Sequence, residues 1–362
     1  MKQDKGGFVI KAGPEALKTI RDEGLRPGRI QVVAGAAGGP KWLVLYHLDR
    51  LLLSGFYTQR EKPLHFIGSS IGAWRFAALC QNDGASALDR FCEAYIHQVY
   101  NGVPTPAEVS AESRRIMDHY VDDKAIDEIL TNPSGRINIL AVRCRHLSAC
   151  EDNGRIGLGL AAAALANVFS RRLLKGFFKR SLFRDARGVP PLELGGNLPF
   201  RQYPLSRYNL KQVLLASGSI PLVMSGVRQI SGAAPGVYRD GGMIDYHLDL
   251  PYRPDASSLV LMPHYSGKII PGWLDKKLKW RKPARENMER VVMIAPSPDF
   301  VRQLPVAKIP DRTDFKTFFQ KDAERIATWK QVVAMCRPPA EAFMELVESG
   351  RIKEKVQPMD FI

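Results

Sequence analysis

A chain of 362 residues with 45% hydrophobic side chains carries enough apolar matter for one large domain with a tail. No stretch reaches about 18 unbroken apolar residues, so no membrane-spanning helix is expected. Lys and Arg outnumber Asp and Glu by 52 to 37, a formal net charge of +15; with no aromatic-basic RNA-binding sequence or zinc-finger spacing present, an anionic membrane surface rather than nucleic acid is the expected electrostatic partner.

In chain order, the first helix is predicted over 14–23 and the first strand over 29–34. That strand runs into Ala34-Gly35-Ala36-Ala37-Gly38-Gly39-Pro40-Lys41, and an apolar pattern at Leu43, Tyr46, Leu48, Leu51 and Leu52 predicts a helix over 40–54. Small residues let backbone N–H groups approach a ligand, because no side chain stands between. Such groups can hold the oxyanion of a tetrahedral intermediate. Pro40 suits the first helical turn, where no N–H is required, and Lys41 adds a positive charge. A phosphate loop is the weaker reading, since neither Gly-x-x-x-x-Gly-Lys-Ser/Thr nor Gly-x-Gly-x-x-Gly occurs.

A short buried strand over 63–68 and a helix over 71–81 flank Gly68-Ser69-Ser70-Ile71-Gly72, a Gly-x-Ser-x-Gly sequence. A serine at a sharp strand-to-helix turn projects its hydroxyl out of the sheet, and only small neighbours permit the turn. The helix would aim free N–H groups and its positive dipole end at that oxygen. Ser70 is therefore the candidate nucleophile. Helices are predicted over 85–99, 106–119 and 123–130, the second opened by a Thr105–Glu108 capping box with Pro106 in its first position. A strand is predicted over 135–144.

The segment 154–183 reads as a basic amphipathic insert, with a helix over 161–180. On a helical wheel Arg171, Arg172, Lys175 and Lys179 cluster within about 100°, Phe169, Leu173, Leu174 and Phe177 take the other side, and Phe178 falls at the border. That pattern suits the bilayer interface, or a lid over an acyl-chain pocket. A helix over 209–217 is stopped by Pro221, and a strand over 237–240 ends in Asp240-Gly241-Gly242, ordinary turn chemistry by itself. Strands are predicted over 257–263 and 290–295. The stretch 268–285, with Trp273, Trp280 and many lysines, reads as a second membrane-facing loop; 301–313 reads as a connector, and helices follow over 314–335 and 339–349. Strands alternating with helices predict an α/β fold of three layers, α/β/α, with a mostly parallel central sheet.

Four of these segments, in this order, resemble the patatin-like phospholipase family. The family pattern is a Gly-rich oxyanion loop ending in Arg or Lys, then Gly-x-Ser-x-Gly, then Ala-Ser-x-x-x-Pro, then Asp-Gly-Gly/Ala. Here they stand as Gly38-Gly39-Pro40-Lys41, Gly68 to Gly72, Ala216-Ser217-Gly218-Ser219-Ile220-Pro221 and Asp240-Gly241-Gly242. The resemblance spans residues 29–265. One departure is clear: the family's Asp-Gly-Gly-Gly is Ala36-Ala37-Gly38-Gly39, with no aspartate and one fewer glycine. The resemblance implies a Ser-Asp dyad, with Ser70 attacking an ester carbonyl and Asp240, not a histidine, taking its proton. It also implies that Gly38, Gly39, Pro40 and Lys41 form the oxyanion hole, Gly68, Ser69, Ile71 and Gly72 the nucleophile turn, and Gly241 and Gly242 the turn behind the aspartate. It implies a lipid acyl hydrolase acting on membrane glycerolipids, needing no metal and no cofactor; the basic surface favours phospholipid as the substrate, with neutral lipid esters or thioesters the alternatives. A patatin-like domain over 1–305 and a C-terminal helical extension over 306–362 are expected.

Seven histidines supply the rival readings. His247 or His264 could complete a Ser-His-Asp triad on chain order alone. A non-catalytic membrane adaptor is a further alternative. Five scattered cysteines, Cys80, Cys92, Cys144, Cys150 and Cys336, fit packing roles and a reducing compartment, and the first residues lack the apolar core of a secretion signal. A cytoplasmic protein, peripheral at the membrane, is the expectation.

Overall fold

The computed structural model describes residues 7–361; residues 1–6, part of the stretch read above for a secretion signal, and residue 362 lie outside the described residues. Eleven strands join in one sheet: β1 (Phe8–Ala12), β2 (Ile30–Gly35), β3 (Leu64–Ser69), β4 (Gly135–Cys144), β5 (Phe178–Arg184), β6 (Arg201–Pro204), β7 (Val227–Arg228), β8 (Val237–Asp240), β9 (Leu259–Pro263), β10 (Val291–Pro296) and β11 (Gln357–Pro358). The order across the sheet is β11-β1-β10-β9-β2-β3-β4-β5-β6, with β8 on β4 and β7 on β8. The central run β10-β9-β2-β3-β4 is parallel throughout. Its strands are covered on both faces, which is why β9 and β10 are apolar from end to end and wholly buried. This is the mixed α/β fold with a mostly parallel sheet expected from the sequence.

One face carries the larger core. The helices Pro14–Glu23, Ile71–Leu79, Gly84–Ile96 and Leu210–Gly218 bury Ile20, Phe76, Phe91 and Leu214 against alternate strand residues such as Ile30, Val33 and Ile139. On the other face Val32, Ile67, Leu140, Val260 and Met293 meet Leu248, Leu250, Tyr252 and Met288. Much of that cover is irregular chain. The helix Asn153–Phe169 completes it, burying Ile156, Leu160 and Ala163 against Val142 and Cys144 of β4.

The 154–183 segment departs from the expected amphipathic helix. Asp152 caps the helix by accepting from the Arg155 N–H, but the helix ends at Phe169, where Ser170 turns extended. A 3₁₀ turn, Arg171–Gly176, leads into β5, which pairs antiparallel with β4 from Phe178 opposite Cys144 to Arg184 opposite Asn138. The cationic arc therefore does not form. Phe178 is buried, Lys179 and Phe177 are half-buried, Arg171 binds the Asp275 carboxylate at 2.5 Å, and Arg180 is buried on Asp245. Only Arg172 and Lys175 of the predicted cations stay exposed. The period of two, Phe178, Arg180, Leu182 inward, prevails over the helical wheel once β4 offers an edge.

The segment after residue 305 packs on the larger core. Trp329 and Val332 of the helix Asp322–Met335, and Phe343 of the helix Arg337–Glu348, are buried there. The chain then returns to the sheet as β11, parallel to β1. Among the described residues no helix is long and apolar enough to cross a membrane.

Candidate active site

Two strand ends meet on one edge of β4. Strand β3 runs parallel to β4 until Ser69 lies opposite Leu140. Strand β8 comes the other way along the same edge and stops with Asp240 opposite Ala141, the next residue. The turns that follow these ends, at Ser70 and at Gly241, are thereby pressed together. Residues 170 apart in sequence become neighbours through backbone pairing alone.

Ser70 occupies a strained backbone position, φ +57° and ψ −128°, between β3 and the helix Ile71–Leu79. Its neighbours have no room for a side chain. A Cβ on Gly68 would lie 2.5 Å from the Ala73 nitrogen, and one on Gly72 would run into the carbonyl of Gly35 in β2. The serine backbone is also held from outside: its N–H donates to Ser217 Oγ at 2.8 Å, and the Ser217 hydroxyl donates to the Leu140 carbonyl at 2.6 Å. Ser217 comes from the helix Leu210–Gly218, in the segment with the Ala-Ser-x-x-x-Pro sequence. Its role as an anchor is not readable from spacing.

The Ser70 hydroxyl donates to Asp240 Oδ2 at 2.7 Å. The other carboxylate oxygen, Oδ1, accepts the Gly242 N–H at 2.7 Å, and the Asp240 N–H donates to the Ser219 carbonyl at 3.0 Å. Both side chains are shielded, Ser70 at 5% exposure and Asp240 at 6%. Burial raises the Asp240 pKa to about 6; the Ser70 and Gly242 hydrogen bonds and the charges of Arg312 and Lys276 hold it from rising further. Ser69 and Ile71 flank Ser70, Ser69 wholly buried with its Oγ near where a Gly241 Cβ would fall.

The Gly-rich loop faces the same space. Ala37, Gly38, Gly39 and Lys41 line a cavity of about 190 Å³ together with Ser70, Asp240 and Gly242; the charged side chains in its walls make it the more polar of two cavities at Ser70. Gly39 has φ +57°, and a Cβ on Gly38 would lie 2.5 Å from the Tyr265 ring, so both positions require glycine. Pro40 is buried in the first turn of the 3₁₀ segment Gly39–Leu45. The loop is pinned from two sides. The Ala37 N–H donates to the Tyr246 carbonyl at 2.9 Å, and the Tyr265 hydroxyl donates to the Ala37 carbonyl at 2.5 Å. Tyr246 and Tyr265 are site residues that no sequence motif marks.

His247 and His264 are not partners of Ser70. Tyr265 spends its one proton on Ala37, so His247 donates Nε2–H to the Tyr265 oxygen, 2.8 Å away, and accepts the Ile270 N–H at Nδ1. His264 Nδ1 accepts the Ser266 N–H, and its ring stands against His247. Burial holds both rings well below the ordinary imidazole pKa. They buttress the glycine loop through Tyr265.

No protein-family model matches the sequence, and no curated protein matches it. Among solved structures the chain is similar to VipD from Legionella pneumophila, at 10% identity and a TM-score of 0.35, over 91% of this chain and 70% of that one.

A second cavity, of about 500 Å³, also opens at Ser70. Trp74, Val109, Ile116, Val223, Met224 and Phe319 are among its walls, and it shares Ser70, Gly39, Ile220, Arg312 and Thr313 with the polar cavity. Part of the wall comes from residues 312–322, the stretch read as a connector and the start of a helix. Trp273 and Lys276, expected on a membrane-facing loop, line the polar cavity instead, while Trp280 is exposed.

Proposed function

We propose that the protein is a serine acyl hydrolase of lipid esters, with Ser70 as nucleophile and Asp240 as general base. The observation that carries this reading is the 2.7 Å Ser70–Asp240 hydrogen bond, set where an apolar cavity and a polar one meet. The apolar cavity is within the size range of small-molecule sites and has the walls for an acyl chain. As Ser70 Oγ attacks the ester carbonyl carbon, its proton passes to Asp240 and the carbonyl oxygen gains the negative charge. The glycine loop at Gly38 and Gly39 would hold that oxygen. Collapse breaks the bond to the alcohol oxygen, which leaves with the proton from Asp240. Water, deprotonated by Asp240, then attacks the acyl carbon; the bond to Ser70 Oγ breaks, the proton on Asp240 returns to that oxygen, and the fatty acid is released. A fluorophosphonate probe tests the nucleophile directly: labelling is expected on Ser70 by peptide mass spectrometry and lost in Ser70→Ala. A wild-type protein that takes no label, with the fold intact, would remove the reading.

The aspartate sets the pH dependence. Its carboxylate must be ionised to accept the proton, so kcat/KM for a p-nitrophenyl ester is expected to rise through a single acid limb near pH 6 and level off above pH 7. Arg312 and Lys276 favour the charged form, so Arg312→Gln should move the midpoint upward. A histidine base with the same midpoint would instead lose its limb in His247→Ala.

We further propose that the protein is peripheral at anionic membranes and docks by the outer face of the helix Asn153–Phe169. Leu158, Leu165, Val168 and Phe169 are exposed there, Phe169 at 78%, with Leu173 beyond the helix end. Arg155, Arg172 and Lys175 rim the stripe, so its charge complements an anionic surface. Sedimentation with vesicles containing phosphatidylglycerol is expected for the wild type, and to be lost in the double variant Leu165→Glu, Phe169→Glu. Equal sedimentation of both would place membrane contact elsewhere.

A further inference from the structure

The loop Ala36-Ala37-Gly38-Gly39 carries no polar side chain, so nothing within it can fix which way its peptides turn. Its N–H groups are not equivalent. Ala37 spends its N–H on the Tyr246 carbonyl at 2.9 Å, and Pro40 has none to give. The N–H groups of Gly38 and Gly39 meet no acceptor among the described residues, and both glycines line the polar cavity with Ser70. These two are the donors the loop has left for an incoming oxygen.

The Ala37–Gly38 peptide is held from behind. Its carbonyl accepts the Tyr265 hydroxyl at 2.5 Å, the one hydrogen bond on that peptide among the described residues. Tyr265 is buried and is not part of the polar cavity's wall; its ring stands against Gly38, 2.5 Å from where a Cβ would fall. The described chain has no cis peptide, and in a trans peptide the carbonyl and the N–H point in opposite directions. With the Ala37 carbonyl turned back to Tyr265, the Gly38 N–H is turned forward, toward the space that holds Ser70. Glycine at 38 and 39 makes such a lock necessary, because a peptide beside glycine turns over at little steric cost. The phenol's own direction is also set. His247 Nδ1 accepts the Ile270 N–H at 3.0 Å, which leaves the ring proton on Nε2, and Nε2–H donates to the Tyr265 oxygen at 2.8 Å. Tyr265 must then send its proton to Ala37.

We propose that Tyr265 is a positioning residue for acyl transfer: its hydroxyl, turned forward by His247, holds the Ala37–Gly38 peptide so that the Gly38 N–H meets the developing oxyanion. Tyr265 acts through the loop and not on the reacting atoms, and its role rests on the acyl-hydrolase reading. Neither Tyr265 nor His247 belongs to any of the four motifs. His247 gains an effect on rate without serving as a base, and the loop, bare of polar side chains, is oriented by a phenol 228 residues away in sequence.

The test sets p-nitrophenyl butyrate against its thiono analogue, in which sulfur replaces the carbonyl oxygen and accepts N–H bonds poorly. Tyr265→Phe is expected to lower kcat for the oxygen ester by about 10²-fold with KM little changed, and for the thiono ester by less than about tenfold, so that the ratio of the two contracts. A substitution that merely loosened the site would slow both alike. His247→Leu should contract the ratio in the same direction while keeping the acid limb near pH 6. His247→Gln, whose amide can donate to the same phenol oxygen, should restore the ratio. This pair carries the test if Tyr265→Phe does not fold. A ratio unmoved in both Tyr265→Phe and His247→Leu, or a fall shared equally by the two esters, overturns the proposal. The hydrolase reading fails differently: wild-type protein then turns over neither ester and takes no fluorophosphonate on Ser70, and the positioning role falls with it. Wild-type turnover with an unmoved ratio in the variants removes the positioning role alone.

Discussion

Ser70→Ala is expected to lower kcat for a p-nitrophenyl ester by at least about 10³-fold, and Asp240→Asn by a comparable factor, with the double variant little worse than either. The two side chains act as one unit: without the carboxylate the hydroxyl keeps its proton, and without the hydroxyl there is nothing to activate. Their fold stabilities should diverge. The buried Asp240 carboxyl has its pKa raised from the ordinary 3.8 to about 6, so the folded state holds the proton more tightly than the unfolded one. For a raised carboxylate, the stability contributed by that proton is present at low pH and lost as pH climbs through 6. Asparagine cannot ionise and avoids the loss. Asp240→Asn should therefore be more stable than wild type at pH 8, by up to about 3 kcal/mol, and lose that advantage by pH 4. Thermal melts at the two pH values check this. Activity in Asp240→Asn near wild type would remove the aspartate from the mechanism.

Much of the centre of this molecule is legible in the sequence, and the reason is burial. Strands covered on both faces are apolar over most of their length, so β2, β3, β9 and β10 announce themselves as short, largely apolar runs, and all six predicted strands stand within two residues of their expected ends. The outer strands of the sheet do not. β1, β6, β7 and β11 are short or partly exposed, and β5 carries three basic residues in seven. On a helical wheel Arg180 falls on the apolar side, and what holds it in the buried sheet is Asp245, 65 residues on. A helical wheel cannot know of that partner. The same limit applies at the site. Ser70 and Asp240 sit in local turn sequences whose glycines are forced by close backbone contact, and such turns leave a local trace. Lys276, Arg312, Tyr246 and Tyr265 are brought in by tertiary packing from segments with no pattern of their own.

The glycines offer the second large effect. Gly72 lies at the start of the helix Ile71–Leu79, where that helix crosses β2, and a Cβ there would run into the Gly35 carbonyl and stand 2.9 Å from the Ala36 oxygen. The obstacle is backbone of a central strand, not a side chain that can swing aside. Gly72→Ala must therefore push the helix off the sheet, at a cost of about 3 kcal/mol. The functional loss should be larger than the stability loss suggests. Ser70 begins the same turn, and a displacement of about 1 Å at a nucleophile costs on the order of 10²-fold. Gly157→Ala is the contrast. It lies within the helix Asn153–Phe169 with nothing within 4 Å of its would-be Cβ, so alanine should stabilise the protein by about 0.5–1 kcal/mol and leave labelling of Ser70 unchanged. Melting temperature and fluorophosphonate labelling rate, read on both variants, separate the effects. A Gly72→Ala protein that melts and labels like wild type would mean that the helix is free to shift, and that the serine is not held by the close approach of this turn to β2.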